Sequence, residues 1–174
     1  MARINHTYFG PLNTDKLQDT DVVWEAHLPL AGREVEAWLW AAPQQELNNM
    51  LLGAFATTLN SLPTLDARAR TALLRYLQED SDFIAFHVDL AQEENAQGLE
   101  ATQILIAHAQ AAGQTSVDAI DFVGLLTLHS MGLWCSSEGA PLVLDYRIDP
   151  EGSDQILAVK CDATGRITDI SWES

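Results

Sequence analysis

The sequence predicts an α+β fold, a two-layer sandwich in which an antiparallel sheet of about six or seven strands carries helices on one face. Strand patterns separated by turn signals lie in residues 22–40 and 124–174. Between them, residues 43–121 form a helical insertion, with apolar side chains at the spacings of three and four that are typical of amphipathic helices. With 174 residues, 47% of them hydrophobic, the chain is long enough for one well-packed core, so we expect one domain over residues 1–174.

The N-terminal part is predicted to form a short strand and then a hairpin. Residues 4–9 alternate weakly and end at a Gly-Pro turn signal. Two runs rich in β-branched and aromatic residues, at 22–30 and 33–40, flank Ala31-Gly32, a pair that favours a tight hairpin. Alternation places on one face of the first run Val22, Trp24, Ala26 and Leu28. The outward face of the second run is predicted to carry Glu34, Glu36, Trp38 and Trp40.

Four helices are predicted in the middle of the chain. The first ends before Pro63, and the second covers residues 65–78. Ser81 is placed to cap the third, and the fourth covers residues 99–112 and ends at Gly113. The stripe of the first helix that is expected to face the sheet consists of Leu47, Met50, Leu51, Ala54, Phe55, Thr58, Leu59 and Leu62. In the third helix the residues that recur at helical spacing are Phe83, Phe86, His87 and Leu90, and the fourth helix carries Ile104, Leu105 and His108.

Strands are predicted to fill the last third of the chain, over residues 124–135, 142–148, 155–161 and 166–172. A turn over residues 136–140 is expected between the first two of them. Gly132 suggests a bulge in the first strand, and Gly165 is placed to close a tight hairpin before the last.

Charge is the strongest compositional feature. Nine Lys and Arg residues stand against 25 Asp and Glu residues, which gives a formal net charge of −16. Such a field repels nucleic acid and anionic membranes and attracts a cationic partner. The plainer alternative is that an acidic surface keeps the protein in solution.

The sequence favours a cytoplasmic location. Its apolar runs fall far short of the roughly 20 residues that a membrane-spanning helix needs. The first ten residues contain no apolar region of the kind found in secretory signals.

Metal and cofactor chemistry has little support in the sequence. None of the five histidines forms a pair with a neighbouring ligand at a spacing typical of metal sites, and Cys135 and Cys161 are expected to be buried free thiols. We therefore expect no metal and no cofactor. An alternative remains open, in which the protein is a hydrolase or a metal-dependent enzyme that uses His87, His129 or the acids of the closing strands.

Tryptophans and two aspartates are the candidates for a binding site. All five tryptophans fall in predicted strands, more than one core face should absorb, and tryptophan is enriched at protein interfaces. Asp145 and Asp169 lie inside extended runs, where aspartate is disfavoured. Three other aspartates are explained by turns in which the side chain bonds its own backbone, namely Asp149, Asp154 and Asp162. The predicted protein-binding residues are Trp38, Trp40, Asp145 and Asp169.

These features favour a protein-binding module that recognises a basic protein through its acidic surface. One concrete form is an immunity-type inhibitor that masks a cationic protein, since electrostatic steering speeds such an association. The enzyme described above is the first alternative, and a protein that self-associates through its sheet is the second. The oligomeric state is left open.

The C-terminal third resembles a bacterial family, number two-thousand-and-four in the domain-of-unknown-function series. The residues that carry the resemblance are 144–149, 154–155, 157–160, Asp162, Gly165 and 167–174. The resemblance implies a two-layer α/β sandwich and no assigned activity. Cys161 departs from it, because an aromatic or aliphatic residue is expected at that position.

Overall fold

The computed structural model describes residues 2–136 and 139–174. Positions 137 and 138, which belong to the turn predicted over residues 136–140, lie outside the described residues. In order along the chain the elements are β1 (Arg3–His6), β2 (Gly10–Asn13), β3 (Asp21–Leu30), β4 (Arg33–Ala41), α1 (Asn49–Asn60), α2 (Leu62–Glu79), α3 (Asp82–Ala91), α4 (Glu100–Ala111), α5 (Ala119–Leu125), β5 (Thr127–Trp134), β6 (Leu142–Arg147), β7 (Ile156–Cys161) and β8 (Ile167–Glu173).

Six strands form the main sheet, in the spatial order β3-β4-β5-β6-β7-β8. Neighbouring strands are antiparallel except β4 and β5, which are parallel. A parallel pair needs a long crossover, and the five helices between β4 and β5 supply it. The predicted α+β class is confirmed, with helices packed against the sheet. β1 pairs only with β2 in a separate two-stranded hairpin, so the strand predicted near the N-terminus does not join the main sheet.

The hairpin between β3 and β4 turns at Ala31 and Gly32, as predicted. Both residues have positive φ angles, 49° and 78°, as the preferred two-residue hairpin turn requires. The face predicted for Val22 is wrong, because the register shifts between Val22 and Trp24 and Val23 is the extra residue. A one-residue bulge moves the preceding side chain to the other face, so Val22 lies beside Trp40.

The core lies between the sheet and the helices. Tyr146 is fully buried at its centre, and its hydroxyl donates a hydrogen bond to Oδ1 of Asp66 in α2, at 2.7 Å. Arg70 donates to Oδ2 of the same carboxylate at 2.9 Å, and to the carbonyl oxygen of Val123 in α5 at 2.8 Å. This network ties β6 to two helices. The apolar core includes Val35, Leu39, Leu52, Phe55, Leu65, Leu73, Leu77, Phe83, Phe122, Met131, Leu133, Leu144, Leu157 and Val159.

The starts of α1 and α2 and the cap of α3 differ from the prediction, and α2 begins at Leu62 instead of residue 65. α1 begins only at Asn49, and the Asn48 side chain caps it by accepting a hydrogen bond from the N–H of Met50. Met50 therefore lies in the first turn and is 82% exposed, not part of the sheet-facing stripe. Ser81 occupies the N-cap position of α3 but its side chain makes no capping hydrogen bond. The carboxylate of Asp80 accepts from the first N–H of α3 instead.

The buried stripes of α3 and α4 leave out several of the residues named from the sequence. Phe86 is 37% exposed and Ile104 is 63% exposed, and His108 is also exposed. α3 packs inward through Phe83, Ile84 and His87, and α4 through Thr102, Leu105 and Ala109. Each short helix covers the core with about one residue per turn, which leaves the flanking apolar residues in solvent.

The bulge in β5 lies at His129 and not at Gly132. The register with β6 shifts between Leu128 and Ser130, so His129 is the extra residue. A Cβ atom added to Gly132 would lie 3.0 Å from Nε1 of Trp134. Glycine at this position is explained by an indole ring that lies against the strand.

The aspartates predicted at turns have three different roles. Asp162 accepts from the backbone N–H groups of Thr164 and Arg166, as expected for a turn. Asp149 does not bond its own turn, because its carboxylate accepts from the N–H groups of Ala101 and Thr102 and so caps α4. Asp154, contrary to the prediction, accepts from the side chain of Gln155.

Candidate protein-binding face

The main sheet has a second face, opposite the helices, which we call the open face. Strand register defines its members, since side chains two apart on a strand share a face and paired residues lie side by side. Its central residues on β4, β5 and β6 are Glu36, Trp38, Trp40, Ser130, Gly132, Trp134, Val143, Asp145 and Arg147. On β7 and β8 it continues with Ile156, Ala158, Lys160, Asp169, Ser171 and Glu173.

All four predicted binding residues lie on the open face. Trp38 and Asp169 belong to one cross-strand row, in which Gly132, Val143 and Lys160 stand between them. Trp40 and Asp145 lie in the rows on either side of it. Four strand spacings separate β4 from β8, about 19 Å at the usual distance between strands. The four residues therefore line a surface and do not converge on one pocket.

Three tryptophans form the aromatic part of the open face. The rings of Trp40 and Trp134 stack at 5.2 Å with an interplanar angle of 11°, and Trp38 lies beside them on β4. All three are partly exposed. Sequence reasoning left Trp134 out of the site because the parallel pairing that places it next to Trp40 has no local signal. The alternation of Gly132 with Trp134 in an extended run was the available clue.

The other two tryptophans lie away from the open face. Trp24 packs edge-on against Phe9 of the N-terminal segment, at 4.8 Å between ring centres. Trp172 packs against Phe83 and Phe86 of α3, at 5.3 and 5.5 Å, and its Nε1 donates to the side chain of Gln155. These two rings contribute to the helix-facing side of the sheet.

Asp145 is a half-buried carboxylate near the centre of the open face. Its Oδ2 accepts a hydrogen bond of 3.1 Å from the hydroxyl of Ser130 on β5. Burial raises the pKa of Asp145 above the usual value, and the Ser130 hydrogen bond opposes this effect. A carboxyl with a raised native pKa destabilises the folded state once it ionises, so at neutral pH Asp145 costs stability.

The two basic residues of the open face bond other groups than Asp145, although the charge of Arg147, like that of His129, acts on Asp145 at a distance and lowers its pKa. The Arg147 side chain turns toward the loop after β6, where Nη2 donates to the carbonyl oxygen of Ser153 at 2.6 Å. Lys160 lies 3.1 Å from the carboxylate of Glu173 and 3.9 Å from that of Asp169. Among the described residues, only the neutral hydroxyl of Ser130 bonds the Asp145 side chain.

Acidic groups outnumber basic ones on the open face. β3 and β4 add three glutamates at exposed positions, and His27 lies 3.6 Å from one of them, Glu36. The acidic members are Glu25, Glu34, Glu36, Asp145, Asp169 and Glu173, and the permanently basic ones are Arg147 and Lys160. The local charge therefore has the same sign as the net charge of −16 for the whole chain.

No histidine forms a hydrogen bond with Asp145 or Asp169 in the described part of the chain, although the charge of His129 acts on Asp145 and lowers its pKa. His87 is fully buried in α3, where its two ring nitrogens contact the carbonyl oxygen of Phe83 at 2.9 Å and the hydroxyl of Ser153 at 3.0 Å. Burial lowers its pKa, so the neutral form predominates. His129 is exposed at the bulge of β5. Within residues 2–136 and 139–174, no group of three or more His, Cys, Asp or Glu side chains is placed to hold a metal ion.

Both cysteines are buried and free. Burial raises the pKa of Cys135 to about 11 and that of Cys161 to about 12. Thiols with such pKa values are protonated at neutral pH and react slowly, so both behave as core residues.

No protein-family model, curated protein or solved structure matches the chain. No helix in the described part of the chain is long and apolar enough to cross a membrane.

Proposed function

We propose that the protein is a binding module that docks a basic protein on the open face of its sheet. The observation that carries this proposal is the position of Trp38, Trp40 and Trp134, which lie partly exposed on the same face as a surplus of carboxylates. Partly exposed tryptophans supply large apolar contact areas at low entropic cost, and they are the residues most often found as hot spots of interfaces.

Charge complementarity selects the class of partner. The net charge of −16 raises the encounter rate with a cationic protein and disfavours nucleic acid and anionic membranes. An inhibitor of the immunity type, which masks a cationic protein in the bacterial cytoplasm, is the form of this function that we favour. The resemblance of residues 144–174 to family two-thousand-and-four agrees with a bacterial source and adds no activity.

The enzyme alternative has no comparable support from the geometry. His87 is enclosed in the helical layer, whereas Asp145 and Asp169 lie on the opposite face of the sheet. Self-association through the open face is disfavoured as well, since two copies of an acidic surface repel each other.

Capture from a bacterial lysate at low salt, compared across three immobilised proteins, tests the proposed function. The wild type should retain one or a few basic proteins in stoichiometric amount. A variant with Trp38→Ala and Trp40→Ala should lose them, because two aromatic anchors at about 2 kcal/mol each lower the affinity by roughly 10³-fold. Mass spectrometry quantifies the retained proteins.

The matched control is a variant with Met50→Ala and Ile104→Ala, which removes two large exposed apolar side chains from the helical layer. It should retain the same proteins as the wild type. Equal retention by all three proteins, or retention of acidic proteins only, contradicts the proposal. Thermal unfolding of each protein verifies that the variants are folded.

A further inference from the structure

Asp145 differs from the other acids of the open face in its degree of burial and in its partners. Glu36, Asp169 and Glu173 are exposed and well solvated. Asp145 is half-buried, and its Oδ1 accepts no hydrogen bond from any described residue. Burial of a carboxylate without a direct ion pair is costly, and for Asp145 the cost of burial outweighs the more distant charges of His129 and Arg147.

Arg147 would be the natural partner for this carboxylate, because residues two apart on a strand share a face. Its guanidinium is held away by the hydrogen bond to the carbonyl oxygen of Ser153, which belongs to the loop that packs on α3 and α4. The hydroxyl of Ser130 meanwhile holds one carboxylate oxygen, and no described residue donates a hydrogen bond to the other. The side chain is thus oriented by a hydrogen bond from Ser130 and forms no ion pair with any described residue.

Trp38 lies close enough to share a ligand with Asp145. The two residues are two strands and two positions apart on the same face, which corresponds to about 12 Å between Cα atoms. Both residues lie on the open face. The Trp134 indole lies against Gly132, on the strand between them, so a long side chain that passes beside this ring can reach both the Trp38 indole and the Asp145 carboxylate. Glu36 lies in the same cross-strand row as Asp145, with Ser130 between them, and adds a second negative charge.

We propose that Asp145 receives a single arginine side chain of the basic partner, with Trp38 packed against the plane of the guanidinium. This inference rests on the proposed function and specifies the residue by which the partner is recognised. Arginine fits better than lysine, because its planar fork offers two parallel N–H donors to a carboxylate while its face stacks on an aromatic ring. Binding then supplies the missing positive charge, and Ser130 positions the carboxylate for it.

Two synthetic peptides of equal charge test the assignment. One contains nine lysines, and the other carries arginine at the central position of the same sequence. On the wild type, the arginine peptide should bind about tenfold more tightly in isothermal titration, the difference that one bidentate charge-assisted pair provides. Asp145→Asn should abolish this preference. Asp89→Asn removes an equal charge from an exposed site in the helical layer, away from the open face, and should preserve it, while weakening both peptides by less than about threefold.

A measurement on the wild type alone protects the test against a misfolded variant. The carboxyl ¹³C resonance of Asp145 should titrate at lower pH when the arginine peptide is bound, because a guanidinium stabilises the charged form.

Thermal unfolding of Asp145→Asn should show a melting temperature equal to or above that of the wild type, since the variant lacks the half-buried carboxylate charge.

The outcomes separate this inference from the proposed function. If the arginine preference is absent in the wild type or persists in Asp145→Asn, the assignment of Asp145 is wrong. The proposed function still stands in that case if both peptides bind the wild type and their binding depends on Trp38. If neither peptide binds the wild type at low salt, both proposals are overturned.

Discussion

Gly152→Ala is expected to destabilise the protein by about 2–4 kcal/mol, because a methyl group at this position meets only rigid backbone. A Cβ atom on residue 152 would lie 2.5 Å from the carbonyl oxygen of Gly98 and 2.7 Å from that of Gln97. The loop after β6 must then move away from the segment before α4. Urea unfolding followed by tryptophan fluorescence measures the loss.

The same displacement should impair the open face. The loop carries Ser153, which accepts the hydrogen bond from Arg147, and Asp149, which caps α4. Once Ser153 is displaced, the Arg147 guanidinium is free to pair with Asp145. Gly152→Ala should therefore also weaken the preference for arginine in the peptide test, although residue 152 lies outside the open face.

Gly53→Ala is the matched control for this prediction. Gly53 lies within α1, and no atom stands within 4 Å of the position that its Cβ would take. The same glycine-to-alanine change should there stabilise the protein by about 0.5–1 kcal/mol, because alanine is the better helix former. Equal effects of the two substitutions would contradict the close packing of the two loops.

Asp66→Ala is expected to cost about 2–3 kcal/mol. The change leaves the buried hydroxyl of Tyr146 and the guanidinium of Arg70 without their shared acceptor. Unpaired buried donors lose their hydration without compensation, and the partial exposure of Arg70 keeps the cost below that of a fully enclosed ion pair. Denaturant unfolding at neutral pH measures the loss of unfolding free energy.

Tyr146→Phe should cost only about 1 kcal/mol in the same measurement, because Arg70 keeps its hydrogen bond to Asp66.

Asp89→Ala provides the comparison for Asp66→Ala. Asp89 is an exposed residue of α3, and its replacement by alanine should change the unfolding free energy by no more than about 0.5 kcal/mol. A cost for Asp66→Ala as small as that of Asp89→Ala would show that the Tyr146 network does not anchor β6.

Local turn chemistry made parts of the fold predictable. Gly32 and Gly165 mark turns that need a positive φ angle, which glycine adopts without steric cost and independently of distant contacts, whereas the positive φ of Ala31 is imposed by the hairpin. Gly113, which also has a positive φ, ends α4 for the same reason. The alternation in β4 likewise placed Trp38 and Trp40 on the outward face.

The features that could not be predicted from the sequence depend on contacts between residues far apart in the chain. The parallel contact between β4 and β5 joins residues about ninety positions apart, and it alone brings Trp134 against Trp40. The bulges at Val23 and His129 insert one residue each, and neither residue type signals a bulge. Asp145 has no ion pair because the Arg147 guanidinium donates a hydrogen bond to Ser153 instead. Ser153 lies in the loop that packs on α3 and α4, and the sequence gives no local signal for that packing.

The central claim is that the open face binds a basic protein, and the indole N–H resonances of the five tryptophans test it most directly. Titration of the ¹⁵N-labelled protein with the basic protein retained in the capture experiment should shift or broaden the signals of Trp38, Trp40 and Trp134. The signals of Trp24 and Trp172 should stay in place, because these rings pack on the other side of the sheet. Perturbation of Trp24 and Trp172 with the other three unchanged would contradict the account.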